Sequence, residues 1–195
     1  KDNWRIIEDQ YHAEFNQISE SIFSIGNGQM GQRANFEESF TGKTLQGNYI
    51  GGVYYPDKTR VGWWKNGYPE YFAKVPNACD WIGIRILLDQ EEVNLATADI
   101  KNFYRELDMK RGLLTRKVEF FTPKGRHLSI ESQRFCSMAD DEIGAIEYKV
   151  KSYNYNGGLA LVSFLDFDVK NSDANYDEKF WDEDQQMSSS EAIYV

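Results

Sequence analysis

The sequence predicts an all-β protein, a large antiparallel β-sandwich, on three observations. β-prone runs recur along the chain, separated by short polar turns that hold Gly, Pro, Asn or Asp. Between those runs no stretch carries the apolar period of a crossover helix of ~12 residues, which argues against βαβ units. From Trp81 onward apolar and polar residues alternate, as in Leu114, Val118 and Phe120, and again in Ile146, Tyr148 and Val150. Runs near ten residues exceed the usual ~5–6 and suit two packed sheets.

Taken in order, Trp4 to Glu8 is a short strand, and His12 to Ser19 is polar and weakly patterned. Ile22 to Ile25 is apolar and leads into Asn27-Gly28, a hairpin signal of the type I′ kind, with Gln29 to Phe36 as the return strand. Leu45 to Tyr55 reads as a strand interrupted at Gly47, Gly51 and Gly52, and Pro56 to Pro69 as an irregular loop with a second Asn-Gly at Asn66-Gly67. Trp81 to Leu88 is a strand followed by a polar turn, Asp89 to Glu92. Strands then run over Phe103 to Met109, Leu113 to Thr122, Leu128 to Met138, Ile143 to Tyr153 and Leu159 to Phe167. Their turns fall at Lys110-Arg111-Gly112, Pro123-Lys124-Gly125, Asp140-Asp141 and Asn156-Gly157-Gly158, residues that set or tolerate turn φ values. After Asp168 the chain is polar as far as Asp184, and the alternation at its end stops abruptly at Val195, so a chain cut from a longer protein is expected.

Bulk properties narrow the function. A net charge of −9 and no basic run exclude the phosphate contacts that nucleic-acid binding requires. No apolar run approaches the ~18 residues of a membrane span. Cys79 and Cys136 lack CxxC partners and read as reduced thiols, in keeping with a cytoplasmic setting, although a cleaved leader would leave no trace here.

The motifs with possible chemistry mostly dissolve on inspection. Gly26 to Gly31 matches G-x-G-x-x-G, but no amphipathic helix follows to meet a pyrophosphate, and the hairpin explains the same glycines. Asp173, Asn175 and Asp177 resemble the start of an EF-hand loop, but Glu178 stands where the turn needs Gly and Asp184 where Glu is needed. His12 and His127 have no i,i+4 partner, so no metal site is expected, and no nucleophile motif or catalytic carboxylate pair can be picked out.

What remains is an aromatic loop. Tyr54, Tyr55, Trp63, Trp64, Tyr68 and Tyr71 offer flat apolar faces near Asp57, Arg60, Lys65 and Asn66. Such rings stack on the C–H faces of sugars, and they also bury against another domain or subunit. Both uses are open at this point.

Four stretches resemble the N-terminal domain of glycoside hydrolase family 65: Phe23 to Glu38 (FSIGNGQMGQRANFEE), Leu45 to Ala78, Phe103 to Phe120, and Leu165 to Trp181. The similarity runs from about Trp4 to Trp181, nearly the whole chain, and the run GGVYYPDKTRVGWWKNGYPEYF is the most specific; Gln29 departs from the pattern where an aromatic is expected. The family includes maltose, kojibiose and trehalose phosphorylases. The resemblance implies a supersandwich similar to galactose mutarotase, residues 1–195 forming a non-catalytic N-terminal domain that supports a separate catalytic (α/α)6 barrel. It implies that the barrel carries the glutamate acid and the phosphate site, so no catalytic residue lies in this chain. The parent enzyme would be an inverting phosphorylase or a hydrolase acting on an α-glucoside disaccharide, with inorganic phosphate as co-substrate, no bound cofactor, and a possible homodimer. A free-standing carbohydrate-binding module using the loop 54–72 is the alternative.

Overall fold

The computed structural model describes residues 2–59, 69–172, 179–182, 184–190 and 192–194. Its frame is a five-stranded antiparallel sheet in the order β1-β9-β10-β11-β12. These are β1 (Arg5–Glu8), β9 (Asp99–Asp108), β10 (Leu113–Phe121), β11 (His127–Cys136) and β12 (Gly144–Ser152). Consecutive strands pair through the turns the sequence predicts, and Gly112 and Gly125 take positive φ of 62° and 74° there. A bulge lies in the β9–β10 pairing between Glu119 and Phe120.

A second antiparallel sheet, β13-β7-β8, consists of β7 (Ile84–Leu88), β8 (Glu91–Glu92) and β13 (Leu159–Ser163). Ile86, Leu88, Val93 and Leu95 from this region pack against Phe103, Val118, Phe120, Leu128 and Ile130 of the five-stranded sheet, with Phe36 between. The two sheets bury alternate residues against each other, which is the sandwich that the alternating pattern required. A smaller sheet of β2 (Ile25–Gly26), β3 (Met30–Gln32) and β4 (Asn48–Ile50) closes one end over Phe23, Ile25, Ala34, Leu107, Leu114 and Cys136. Two further hairpins pair β5 (Tyr55–Lys58) with β6 (Tyr71–Lys74) and β14 (Met187–Ser188) with β15 (Ile193–Tyr194).

Several expectations need correction. The weakly patterned segment after His12 forms a 3₁₀ turn, Ala13–Phe15, and then helix α1 (Asn16–Ile22). Its buried face is polar, with Asn16, Ser19 and Glu20, while Ile18 and Ile22 are more than half exposed. An apolar stripe therefore never appears in the sequence. Glu20 explains the inversion, because its carboxylate accepts from Asn16 Nδ2, Thr44 Oγ1 and the Leu45 amide (2.9, 2.5 and 2.8 Å) and so fixes the loop that follows β3.

The Asn27-Gly28 hairpin is present, but its central residues are Gly28 and Gln29, since Asn27 N donates to Met30 O. Gly28 has φ 93° and Gln29 is not left-handed, the sign pattern of a II′ rather than a I′ turn. The return strand is only Met30–Gln32, and beyond it the chain turns inward to carry Glu37 and Glu38 into the core. The strand expected over 45–55 shrinks to Asn48–Ile50, and that over 159–167 to Leu159–Ser163 plus an isolated bridge between Asp80 and Asp166. Part of the expected 56–69 loop is strand β5. The left-handed pair is Asp89 and Gln90 (φ 48° and 71°), a non-glycine I′ turn joining Leu88 to Glu91.

Candidate functional site

The inner face of the large sheet carries charge as well as hydrocarbon. Cross-strand register aligns Glu8, Arg105, Arg116, Ser132 and Tyr148 in a single row over all five strands. Arg116 Nη2 donates to Glu37 Oε2 and Glu38 Oε2 at 2.5 and 2.6 Å, and Tyr148 OH donates to the same Glu38 oxygen at 2.8 Å. Arg134 Nη1 lies 3.2 Å from Glu37 Oε1, and its Nη2 donates to the carbonyls of Arg33 and Asn35. Arg105 pairs with Glu8 at 3.6 Å and lies over the rings of Phe23, Phe36 and Phe103.

Burial raises the Glu37 carboxyl, but the Arg116 and Arg134 guanidiniums outweigh it and hold the group below the ordinary carboxylate range. Burial pushes Arg105 down to about 10 and the Tyr148 hydroxyl well above its usual value. Glu37, Glu38, Arg116 and Arg134 are each at most 4% exposed, and Glu37 and Glu38 lie at the wall of an open cleft of about 240 Å³ that Asp80 and Asp166 also line. The cluster joins the inward-turning 33–38 segment to the sheet.

The aromatic loop is the accessible candidate. Tyr54, Tyr55 and Tyr71 are exposed, as sequence reasoning expected, whereas Trp63, Trp64 and Tyr68 lie outside the described residues. The β5–β6 register sorts the remaining rings. Tyr55 stands opposite Lys74 and Asp57 opposite Phe72, so these four share one face, while Tyr71 stands opposite Lys58 on the other. The hairpin therefore does not bring Tyr55 and Tyr71 together on one platform. Lys74 Nζ and Asp57 Oδ2 are 2.9 Å apart on the Tyr55 face.

Two aromatics that sequence reasoning left in a polar loop join this region. The Phe180 ring lies 4.7 Å from that of Tyr55, with Lys74 Nζ 5.6 Å from its centroid. Trp181 packs edge-on against Phe167 at 5.5 Å and donates Nε1–H to the Asn77 carbonyl at 2.7 Å. Phe167 and Trp181, with Asp182, Asp184, Gln185, Met187 and Tyr194, line an open cleft of about 450 Å³. The only local signal was the pair of rings, Phe180-Trp181, set among acids. Asn77 anchors the base of the region: its Oδ1 accepts the Asn48 amide, its Nδ2 donates to the Lys170 carbonyl, and Asn171 returns a bond to Val75 O.

The histidines stay apart. His12 is exposed beside Glu14, and His127 stands on the outer sheet face between Phe121 and Tyr153, its Nε2 2.7 Å from Glu119 Oε1. Among the described residues no group of three or more His, Cys, Asp or Glu side chains is placed to hold a metal ion. Cys79 and Cys136 are free thiols, and burial, helped by the Asp80 carboxylate, pushes Cys79 up to about 11. No described helix is long and apolar enough to cross a membrane.

The model of the "Glycosyl hydrolase family 65, N-terminal domain" matches residues 6–193. The chain belongs to this family. It is 43% identical over 194 residues to the maltose phosphorylase of Bacillus subtilis (strain 168), covering all of this chain and 26% of that protein. It is 33% identical over 171 residues to the kojibiose phosphorylase of Thermoanaerobacter brockii, covering 88% of this chain and 20% of that one. A solved structure named "Putative kojibiose phosphorylase from human microbiome" superposes with a TM-score of 0.83 at 27% identity, over 97% of this chain and 25% of that one. This family 65 domain thus spans about a quarter or less of the relatives it matches.

Proposed function

We propose that the chain is the non-catalytic N-terminal sandwich domain of an inverting, maltose-type α-glucoside phosphorylase or hydrolase, and that it supports a separate catalytic (α/α)6 barrel. The observation that supports this reading is similarity along the whole of this chain to a maltose phosphorylase of which it covers only 26%. The chemistry in hand agrees with it. The buried Glu37 and Glu38 are tied to Arg116 and Arg134. The proposed substrate of the whole enzyme is an α-glucoside disaccharide, with inorganic phosphate as attacking co-substrate at the barrel.

In this reading the aromatic hairpin, with Tyr54, Tyr55 and Tyr71 exposed, is the surface that meets the barrel. Trp63, Trp64 and Tyr68 belong to the same proposed loop by sequence. The test is phosphate-dependent consumption of maltose, kojibiose and trehalose by the full-length polypeptide. Activity with one of them is expected, and activity with none contradicts the phosphorylase assignment.

A second reading is favoured by the rings around the open cleft, Phe167, Trp181 and Tyr194, beside Asp182, Asp184 and Gln185. This is the mixture of flat faces and hydrogen-bonding groups that a sugar requires, and it would make the chain a carbohydrate-binding module. Saturable quenching of tryptophan fluorescence by maltose would support that use, and a flat titration to high sugar excludes it.

A further inference from the structure

The chain holds three Asn-Gly pairs, Asn27-Gly28, Asn66-Gly67 and Asn156-Gly157. Besides signalling turns, such a pair is chemically labile. Glycine has no Cβ, so its main-chain nitrogen can come close to the side-chain carbonyl carbon of the asparagine before it. Whether the two atoms meet depends on what holds the asparagine, because attack needs the reacting atoms in contact and aligned. Asn66-Gly67 lies outside the described residues. The other two pairs can be compared directly.

Asn27 is pinned. Its Oδ1 accepts the Gln29 and Met30 amides at 3.0 and 2.8 Å, and its Nδ2 donates to the Ser137 and Asp141 carbonyls at 2.6 and 2.9 Å. Bringing Asn27 Cγ onto the Gly28 nitrogen requires a local opening that breaks this set of bonds together. Asn156, in the connection from β12 to β13, is the reverse case. It is exposed, and among the described residues neither its side chain nor the Gly157 amide has a hydrogen-bond partner. The residues around it are the ones held. Asn154 Oδ1 accepts the His127 amide at 2.6 Å, Ser152 Oγ donates to the Tyr155 carbonyl at 2.7 Å, and Gly158 N donates to Asp89 Oδ1 at 2.9 Å. The turn is thus clamped on both sides by contacts within this chain, and its asparagine side chain is left to rotate.

We infer that Asn156 is a site of spontaneous modification, deamidating through attack by the Gly157 nitrogen, and that the fold protects Asn27 from the same reaction. The Gly157 nitrogen bonds to Asn156 Cγ, and the bond from Cγ to Nδ2 breaks. Nδ2 leaves as ammonia, carrying the proton that the Gly157 nitrogen gives up. Water then opens the succinimide. Its attack at the side-chain carbonyl gives aspartate, and its attack at the main-chain carbonyl gives isoaspartate, which adds one methylene to the main chain. Either product brings a negative charge next to Gly157, where an added Cβ would lie 2.7 Å from Asp89 Oδ2. Asp89 is the residue that holds Gly158, so the new charge and the longer main chain both loosen that clamp.

The test is to age the full-length polypeptide at mildly alkaline pH and follow the peptides that contain residues 27 and 156 by mass spectrometry. Isoaspartate is identified by its methylation with an isoaspartyl methyltransferase. Asn156 should convert at least about tenfold faster than Asn27, which corresponds to about 1.4 kcal/mol for releasing the Asn27 bonds. In urea that unfolds the protein the two rates should converge, because the fold and not the dipeptide separates them. Asn156→Gln, whose longer side chain disfavours the five-membered ring, should remove the product at this position. The Gly158 amide should exchange with solvent faster after conversion. Equal rates at the two sites in the native protein overturn the proposal, as does faster conversion of Asn27. A difference that persists unchanged in urea also overturns it, since the hydrogen bonds of Asn27 would then not be its cause.

Discussion

Glu37 shows at the residue scale how charge is held inside this sandwich. Its carboxylate is bracketed by Arg116 and Arg134, with burial opposing ionisation and the two guanidiniums favouring it. Because its folded value lies below the unfolded one, its contribution is fully present above the unfolded carboxylate range. It is lost as pH falls through the folded value. Glu37→Gln leaves the buried Arg134 guanidinium without its carboxylate and Arg116 with Glu38 alone, and should destabilise the fold by about 3–5 kcal/mol at neutral pH. It should also flatten the loss of stability between about pH 5 and pH 3. Urea midpoints of both proteins across that range check both expectations, and equal slopes would contradict the assignment. Cys79, pushed up to about 11, should resist iodoacetamide at neutral pH and react only as the solution approaches that value, which mass spectrometry reads directly. None of this was legible in the sequence, since Glu37, Arg116 and Arg134 are far apart along the chain and ordinary in type.

Turn chemistry governs the element scale. Asp89 and Gln90 both take positive φ, while the Asp89 carboxylate accepts the Gly158 amide at 2.9 Å. Asp89 therefore has a reason to be there, and the exposed Gln90 shows no such bond. Gln90→Gly should relieve left-handed strain and stabilise the protein by about 1 kcal/mol, measured as a higher urea midpoint. Asn27 makes the opposite case. Its Oδ1 accepts the Gln29 and Met30 amides, and its Nδ2 donates to the Ser137 and Asp141 carbonyls, tying the first hairpin to the β11–β12 turn. Asn27→Ala should cost about 1–3 kcal/mol.

Strands with one solvated face and one apolar face were readable from residue 81 onward, because alternation records a half-buried sheet. Helix α1 was not, because its buried face is Asn16, Ser19 and Glu20 and its isoleucines face outward. The β5–β6 hairpin was hidden by Pro56 and by the glycines before it. Of the candidate site, the exposed tyrosines were legible from composition. Their division between two faces was not, because it depends on register, and Phe180 and Trp181 return to the region only through the tertiary fold.

At the scale of the whole molecule, the role proposed for the sandwich is that of a support. Its interior is crossed by a row of buried, paired charges, its open aromatic surface lies at one hairpin and the adjoining cleft, and its relatives carry roughly three times as much chain again beyond the matched quarter. The measurement that tests this most directly is an assay of the purified 195-residue chain alone with maltose and inorganic phosphate, beside the full-length polypeptide. The account predicts release of glucose 1-phosphate by the full-length protein and none by this chain. Turnover by the isolated chain would contradict it.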